Sequence, residues 1–238
     1  YRNIELVVID DGSCDNSVSL LKALSEEMHF TFVSQANSGI PKTLNTAIRQ
    51  YANGSLICIL ASDDIFHPSK VELQVRALLN TPDVEFCFAQ AVEFDDRTKE
   101  SLRYFPKKGM GPLEIKKLIF FQPFAAGSIM FTRNLYDRIG GFSEKLTYED
   151  WDFCIRCRAE TEFHFIPRPL FMYRSHSGNT MKTLSRWRIF KHKYRVLMKN
   201  RFIIPWPILM LSIALHFVHD NFYFLFSGVK KRFFSEFN

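Results

Sequence analysis

Three acidic pairs are the side chains best suited to chemistry in this sequence: Asp10-Asp11, Asp63-Asp64 and Glu149-Asp150. Adjacent carboxylates repel and raise one another's pKa unless something neutralises them. Asp63 and Asp64 can supply hard oxygen ligands to Mg²⁺ or Mn²⁺, ions that keep positions open for the oxygens of a diphosphate. The competing reading is that one of them caps the helix opening at Pro68 or closes a turn. Glu149 and Asp150 open a helix, where the positive end of the dipole stabilises carboxylates without any catalytic purpose. Equally, one of the two can serve as a general base toward an acceptor hydroxyl. The residues alone leave these two readings even.

Such groups need a frame, and the pattern of apolar runs supplies one. Strand-length runs at Glu5 to Ile9, Phe30 to Val33 and Ser55 to Leu60 alternate with helical spacing through Leu20, Leu21 and Leu24, then Leu44, Ile48 and Tyr51, then Val71, Val75 and Leu78. Alternation in units of this length predicts an α/β fold, a mostly parallel sheet with helices on both faces. Further on, Phe86 to Phe94 and Gly127 to Phe131 read as strands, Asp95 to Gly111 as a polar excursion, and Leu113 to Phe121 and Arg133 to Ile139 as helices. Open parallel sheets bind ligands beyond the carboxyl ends of their strands, where both aspartate pairs fall.

Composition narrows the class. The chain has 238 residues, 47% hydrophobic and 24% charged, too apolar for a disordered segment. Its net charge of +6 is uneven. Residues 1–181 hold 20 basic and 23 acidic side chains, and residues 182–238 hold 11 and 2. A basic excess confined to one end, beside an apolar run, argues against nucleic acid. Five cysteines without framework spacing favour a reducing compartment, and Cys154-x-x-Cys157 reads as buried thiols. The first residues carry no recognisable secretory signal, and neither a dinucleotide G-x-G-x-x-G nor a P-loop motif occurs.

Taken in order, five segments resemble the motif series of family 2 glycosyltransferases with the GT-A fold. They are Val7-Val8-Ile9-Asp10-Asp11-Gly12-Ser13, Asn37 to Asn45, Leu60-Ala61-Ser62-Asp63-Asp64, Gly140-Gly141-Phe142 followed by Glu149-Asp150, and Tyr173-Arg174-Ser175-His176. The resemblance spans residues 4 to 180 and implies a Rossmann-like nucleotide-sugar transferase domain over 1–181. It implies a nucleotide-sugar donor, a UDP-sugar foremost, a divalent metal (Mg²⁺ or Mn²⁺), and inverting transfer to a glycan or lipid-linked hydroxyl. Position by position, Asp11 resembles the carboxylate that meets the nucleobase, with Asp10 in support. Asp63 and Asp64 resemble the diphosphate and metal pair, Asp64 being the ligand. Asp150 resembles the general base, and Glu149 a group that contacts the acceptor. His176 resembles a late histidine near the metal; a lone His after an apolar strand can also be structural. Lys42 is placed to meet phosphate as a point charge.

The chain also departs from the family pattern. A strand and helix that normally precede Glu5 are missing, so a fragment is expected. Leu44 stands where many members carry Arg. Ser185-Arg186-Trp187 is similar to the Q-x-x-R-W signature of processive synthases, but Thr183 replaces the Gln, which points to transfer of single sugars.

Residues 182–238 form a basic, apolar tail of helical character. Its uncharged stretch Phe202 to His219 reaches the lower limit for a membrane span, but Pro205, Pro207, His216, His219 and Asp220 interrupt it. Cations flank both sides, from Lys191 to Arg201 and from Lys230 to Arg232, which favours an element lying on the membrane. The expected location is therefore cytoplasmic, peripheral or monotopic at the inner membrane face. The alternative is a helical pair packed on the domain or on a second subunit. Function in surface-polysaccharide or lipid-linked glycan synthesis is the leading expectation. A nucleotidyltransferase, or a non-catalytic sugar-nucleotide-binding or scaffold module, is the alternative.

Overall fold

The structure is a computed structural model that describes residues 1–106, 115–178 and 184–222. Strand β1 (Val7–Asp10) leads through helix α1 (Ser17–Met28) to β2 (Thr31–Ser34), which pairs with it in parallel. Asn16 is the N-cap of α1, and the Asp15 carboxylate accepts the Ser17 N–H at 3.0 Å. Helix α2 (Ile40–Thr46) has Pro41 in its first turn and continues as one π turn, Ala47–Tyr51. Proline is tolerated there because the first helical N–H groups have no partner inside the helix.

A second, larger sheet follows. It comprises β3 (Leu56–Ile57), β4 (Ile65–Phe66), β5 (Phe86–Asp95), β6 (Ser101–Phe105), β7 (Ile129–Thr132) and β8 (Phe163–Ser175). Its strands lie in the order β3-β7-β5-β8-β4, with β6 pairing the far half of β5. The helices are α3 (Lys70–Leu79), α4 (Ile115–Leu118), α5 (Arg133–Arg138), α6 (Glu149–Glu160), α7 (Arg186–Lys199) and α8 (Trp206–Phe222).

The α/β class stands, and the pairing directions refine it. Parallel pairing is confined to β1–β2 and β5–β8; β3–β7, β4–β8, β5–β6 and β5–β7 run antiparallel. The sheet is thus mixed and not mostly parallel. Apolar runs report burial but carry no strand direction, and among the described residues only β1–α1–β2 is a direct strand–helix–strand unit between paired neighbours.

Helices do cover both faces of the larger sheet. Along β5, Phe86 and Phe88 join the core with Phe131, Phe153 and Phe163, while Cys87 and Ala89 pack with Val75 and Leu78 of α3 on the other side. Period-two alternation splits successive residues between the layers. The aromatic layer is dense: Phe86 stacks on Phe163 at 3.8 Å between ring centroids, and Phe142 on Phe153 at 4.2 Å. Cys154 and Cys157 are fully buried in the same layer as free thiols.

Residues expected to form a separate tail enter this core as well. Val196 and Leu197 of α7, Ile204 in the turn that follows and Leu209 of α8 belong to the cluster that holds Phe86 and Trp151. The segment 179–183, with Thr183, and the flank Lys230 to Arg232 lie outside the described residues.

Candidate active site

The Asp63-Asp64 pair is delivered by β4. Antiparallel register pairs Ile65 with Met172 and Phe66 with Phe171, so the residues just before β4 meet the last residues of β8. Asp64 Oδ1 accepts the Arg174 N–H at 2.9 Å, and Asp63 Oδ2 lies 3.0 Å from His176 Nε2. Arg174 clamps the turn: its Nε donates to the Asp63 carbonyl at 2.5 Å and its Nη1 to Asp96 at 2.8 Å. Burial pushes the Asp64 carboxyl up to about 6, and the neighbouring Asp63 charge adds to this against the pull of Arg174 and His176. Such a pair is destabilised as an anion and would be relieved by a cation. Among the described residues no ready-made cluster of three His, Cys, Asp or Glu ligands is present. Two carboxylates and an imidazole are donor types that Mg²⁺ or Mn²⁺ accept, but as placed Asp64 bonds to Arg174 N and Asp63 to His176, so the three do not form a three-ligand set.

The first acidic pair is spent largely on backbone. Asp10 is buried and accepts the Gly12 and Ser13 N–H groups at 3.2 Å, closing the turn after β1. Gly12 sits at φ +87°, and a Cβ there would meet Asn37 N at 2.8 Å. Asp11 accepts from Ser38 N, Gly39 N and Gln35 Nε2 at 2.9, 2.9 and 2.7 Å. Burial pushes its carboxyl up, but these donors outweigh it and hold it at about 2. Asp11 therefore fixes the loop that starts α2. Lys42 on that helix is exposed.

That loop faces Glu149 across a cleft of about 300 Å³, lined by Ser38 to Pro41, Glu144 to Thr147 and Glu149. The far wall is held by Asn45, which is buried in α2. Its Oδ1 accepts from Tyr136 Oη at 2.7 Å and Phe142 N at 2.9 Å, while its Nδ2 donates to Phe142 O and Glu144 Oε1. Gly141 is required beside it: φ is +74°, and a Cβ would stand 2.8 Å from Asn45 Oδ1.

Glu149 and Asp150 start α6 and point to different surroundings. Asp150 Oδ2 accepts from Gln122 Nε2 at 3.3 Å and Oδ1 from Trp151 N at 2.8 Å. Burial pushes Asp150 up, partly countered by the Trp151 N–H and Gln122. Burial, with the Asp150 charge behind it, pushes Glu149 up to about 8. At neutral pH Glu149 is thus protonated and can donate a hydrogen bond into the cleft. This carries a linkage consequence. An unfolded Glu ionises near 4.3, so between that pH and about 8 the folded chain holds the extra proton and stability falls as pH rises. Glu149→Gln is therefore expected to raise the melting temperature at pH 8 and flatten the decline between pH 5 and 8. An unchanged pH profile in thermal melts would refute the buried-proton assignment.

The sequence-predicted residues fall into two groups. Asp63, Asp64 and His176 come together; Glu149 lines the cleft opposite the loop that Asp11 fixes; Asp10 closes a turn, and Asp11, Asp150 and Lys42 are not among the cleft-lining residues. Gln122 escaped sequence reasoning because a single glutamine in a weakly patterned stretch carries no signal. Arg174 lay inside a motif already noted, and its clamp follows only from strand register.

With this geometry in place, comparisons with known proteins define the class. The description "Glycosyl transferase family 2" matches residues 1–143, and the chain belongs to that family. A glycosyltransferase of Rickettsia felis is 30% identical over 207 residues, covering 81% of this chain and 34% of that protein. A glycosyltransferase of Bacillus subtilis, YwdF, is 25% identical over 171 residues, covering 71% of this chain and 62% of its own length. The chain thus spans about a third of the first of these relatives. Among solved structures, Staphylococcus aureus TarS 1-349 superposes with a TM-score of 0.65 at 16% identity, over 97% of this chain and 65% of that one. The mannosyltransferase PcManGT from Pyrobaculum calidifontis, in complex with GDP-Man and Mn²⁺, gives 0.61 at 18%, over 91% and 60%. The fold is GT-A.

Proposed function

We propose that this glycosyltransferase moves a single sugar from a nucleoside diphosphate sugar to an acceptor hydroxyl with inversion at the anomeric carbon. The observation that carries this reading is the Asp63–His176 contact at 3.0 Å beside Asp64, assembled from residues 113 positions apart. A nucleotide-sugar donor is supported by neighbours of the same fold, PcManGT in complex with GDP-Man and Mn²⁺ and TarS 1-349 in complex with UDP. Asp64, with Asp63 and His176, would hold a divalent ion, which when bound stabilises the charge of the departing diphosphate. Asp150 takes the proton of the acceptor hydroxyl as that oxygen attacks the anomeric carbon and the bond to the diphosphate breaks. Glu149 orients the acceptor by donating its own proton as a hydrogen bond. Asp10 and Asp11 shape the nucleotide side through the two turns they fix, and Lys42 meets phosphate from the solvent side. Asp64→Ala is expected to abolish Mn²⁺-dependent binding of UDP in titration calorimetry. Metal-dependent binding at wild-type strength would exclude this site.

We further propose a UDP-sugar as donor, a glycan or lipid-linked acceptor in cell-surface polysaccharide synthesis, and work at the cytoplasmic face of a membrane. No helix among the described residues is long and apolar enough to cross a bilayer. The α7–α8 pair nevertheless exposes Trp187, Phe202, Trp206, Met210 and Leu211 beside exposed Arg188, Lys191, Arg195 and Arg201. Apolar side chains with flanking cations suit the interface of an anionic bilayer. In flotation, the protein should rise with anionic vesicles, less so in high salt, and Phe202→Ser with Trp206→Ser should abolish it. Protein left at the bottom of the gradient with every vesicle composition would overturn the membrane role.

A further inference from the structure

Lys70 is wholly buried at the start of α3, and among the described residues no carboxylate pairs with it. Its Nζ donates to Gln74 Oε1 at 2.6 Å and to the Ile129 carbonyl at 3.3 Å, and stands 4.1 Å from the centroid of the Phe66 ring. Burial pushes the ammonium down to about 8, so it still carries its proton at pH 7. A buried cation without a counter-ion is costly, and a methionine of similar length would fill the space without that cost. Core filling therefore does not account for a lysine here. The ring that the ammonium touches belongs to the strand that delivers Asp63 and Asp64. Strand β4 is two residues long, lies at the edge of its sheet and pairs with β8 alone. Past that short ladder, His67 N–H donates to the Leu170 carbonyl at 3.0 Å. With so few backbone bonds, the place of β4 depends on what grips Phe66: Phe171 of β8, edge-on at 6.2 Å between ring centroids, and Lys70. Lys70 is itself anchored, because buried Gln74 donates to the Ser128 carbonyl at 2.8 Å while Lys70 reaches the next carbonyl, that of Ile129.

We infer that Lys70 is a positioning residue for the Asp63–Asp64 corner: anchored on Gln74 and the Ile129 carbonyl, its ammonium holds the Phe66 ring by its face and so fixes β4, with the two aspartates before it, against β8. A cation over an aromatic face is attracted by the ring quadrupole, most strongly where water is excluded. Arg174 and His176 hold Asp64 and Asp63 from the β8 side. Lys70 holds their strand from the α3 side. This role bears on sugar transfer through the reading of Asp63 and Asp64 as the metal pair, on which it rests.

The test compares wild type with Lys70→Met, Phe66→Leu, Phe66→Tyr and the double variant Lys70→Met/Phe66→Leu. Each is read by amide hydrogen exchange resolved by NMR, by its melting temperature, and by the Kd of UDP in the presence of Mn²⁺ in calorimetry. In Lys70→Met, exchange at the Arg174 N–H, which donates to Asp64, and at the His67 N–H should quicken about tenfold, the equivalent of one desolvated cation–π contact. The Kd should rise by a similar factor. Amides of the β5–β7 ladder should exchange as in wild type, and melting should stay close to it. Phe66→Leu should give the same pattern with the Lys70–Gln74 bond intact, and Phe66→Tyr, which keeps the ring face, should lie nearer wild type. In the Phe66→Leu background Lys70→Met should add nothing, because the two act through one contact. Unmoved exchange at Arg174 and His67 in a folded Lys70→Met would overturn the inference. So would additive losses in the double variant, or faster exchange spread evenly over β5 and β7, the mark of general core support. If Lys70→Met does not fold, Phe66→Leu against Phe66→Tyr decides. Mn²⁺-dependent UDP binding retained in Asp64→Ala would instead overturn the metal reading, and the exchange comparison would still decide the role of Lys70.

Discussion

Asp150→Asn is expected to lower turnover by about 10²–10⁴-fold, the range for a lost general base, while donor binding is retained. The amide cannot take a proton from the acceptor, and the substitution changes little else in shape. It does disturb the local bonds: both oxygens of Asp150 accept, from Trp151 N and Gln122 Nε2, and Asn keeps only one acceptor. Gln122 Nε2 keeps its bond to the Phe124 carbonyl at 3.1 Å, and the Asn Oδ1 can still accept from one of the two donors, so the change costs about one hydrogen bond. A fold defect is therefore not expected, and near-wild-type melting should accompany the loss. One further effect follows from charge. Asp150 is part of what pushes Glu149 up, so the variant should let Glu149 ionise at lower pH. Residual activity should consequently rise with pH if Glu149 takes over part of the role. Product formation from labelled donor and calorimetric donor binding, each across pH 6–9, check both points. Turnover equal to wild type would remove Asp150 from the mechanism.

The acidic pairs were legible in the sequence because adjacent carboxylates at strand and helix ends are costly and therefore conspicuous. What they do was less so. Asp10 and Asp11 look alike in sequence to Asp63 and Asp64, yet their oxygens are occupied by backbone N–H groups of the loops they fix. Only the register of β4 against β8 separates the two pairs. Strand β6 escaped notice because its alternation, Leu102 and Tyr104 against Ser101 and Arg103, is only four residues long and lies in a polar stretch, and all four are exposed. The turn leading to it is fixed by polar atoms, with Asp95 Oδ1 accepting from Arg97 N and Thr98 N at 2.9 Å. The C-terminal helices are a different case. The buried stripe of α8 is Leu209, Ser212, His216 and Asp220, at helical spacing but three-quarters polar, so hydropathy does not mark the face that enters the core. Ser212 donates to the Ile119 carbonyl at 3.0 Å and Asp220 pairs with Lys193, which is how such residues become buried.

Asp152→Ala should be the most destabilising single change, by about 3–5 kcal/mol, the cost of stripping one partner from a buried ionic cluster. The residue is fully buried two positions past Asp150. Its carboxylate accepts from Ser143 Oγ at 2.5 Å, Arg156 Nε and Nη2 at 3.0 and 2.8 Å, and Asn200 Nδ2 at 2.9 Å; Lys199 Nζ lies 2.9 Å from both oxygens. Those partners come from the loop before α6, from α6 itself and from the end of α7, so one side chain joins the acidic pair's helix to the tail. Burial alone would push the carboxyl up, but Arg156, Ser143, Lys199 and Asn200 hold it below the usual carboxylate range. The sign of the pH effect follows. The stabilisation is complete above the unfolded pKa near 3.9 and is lost as pH falls through the lower folded value, so the gap between variant and wild type should close in acid. In the variant the Arg156 charge loses its carboxylate, and Lys199 and Asn200 lose their hold on α6. Cleavage by protease in the segment between α7 and α8 should then accelerate along with the fall in urea midpoint. Against a typical domain stability of about 5–15 kcal/mol, a loss of this size removes from about a fifth of the margin to all of it. A change below about 1 kcal/mol, the scale of a surface ion pair, would mean that α7 and α8 fold independently of the α6 helix they contact.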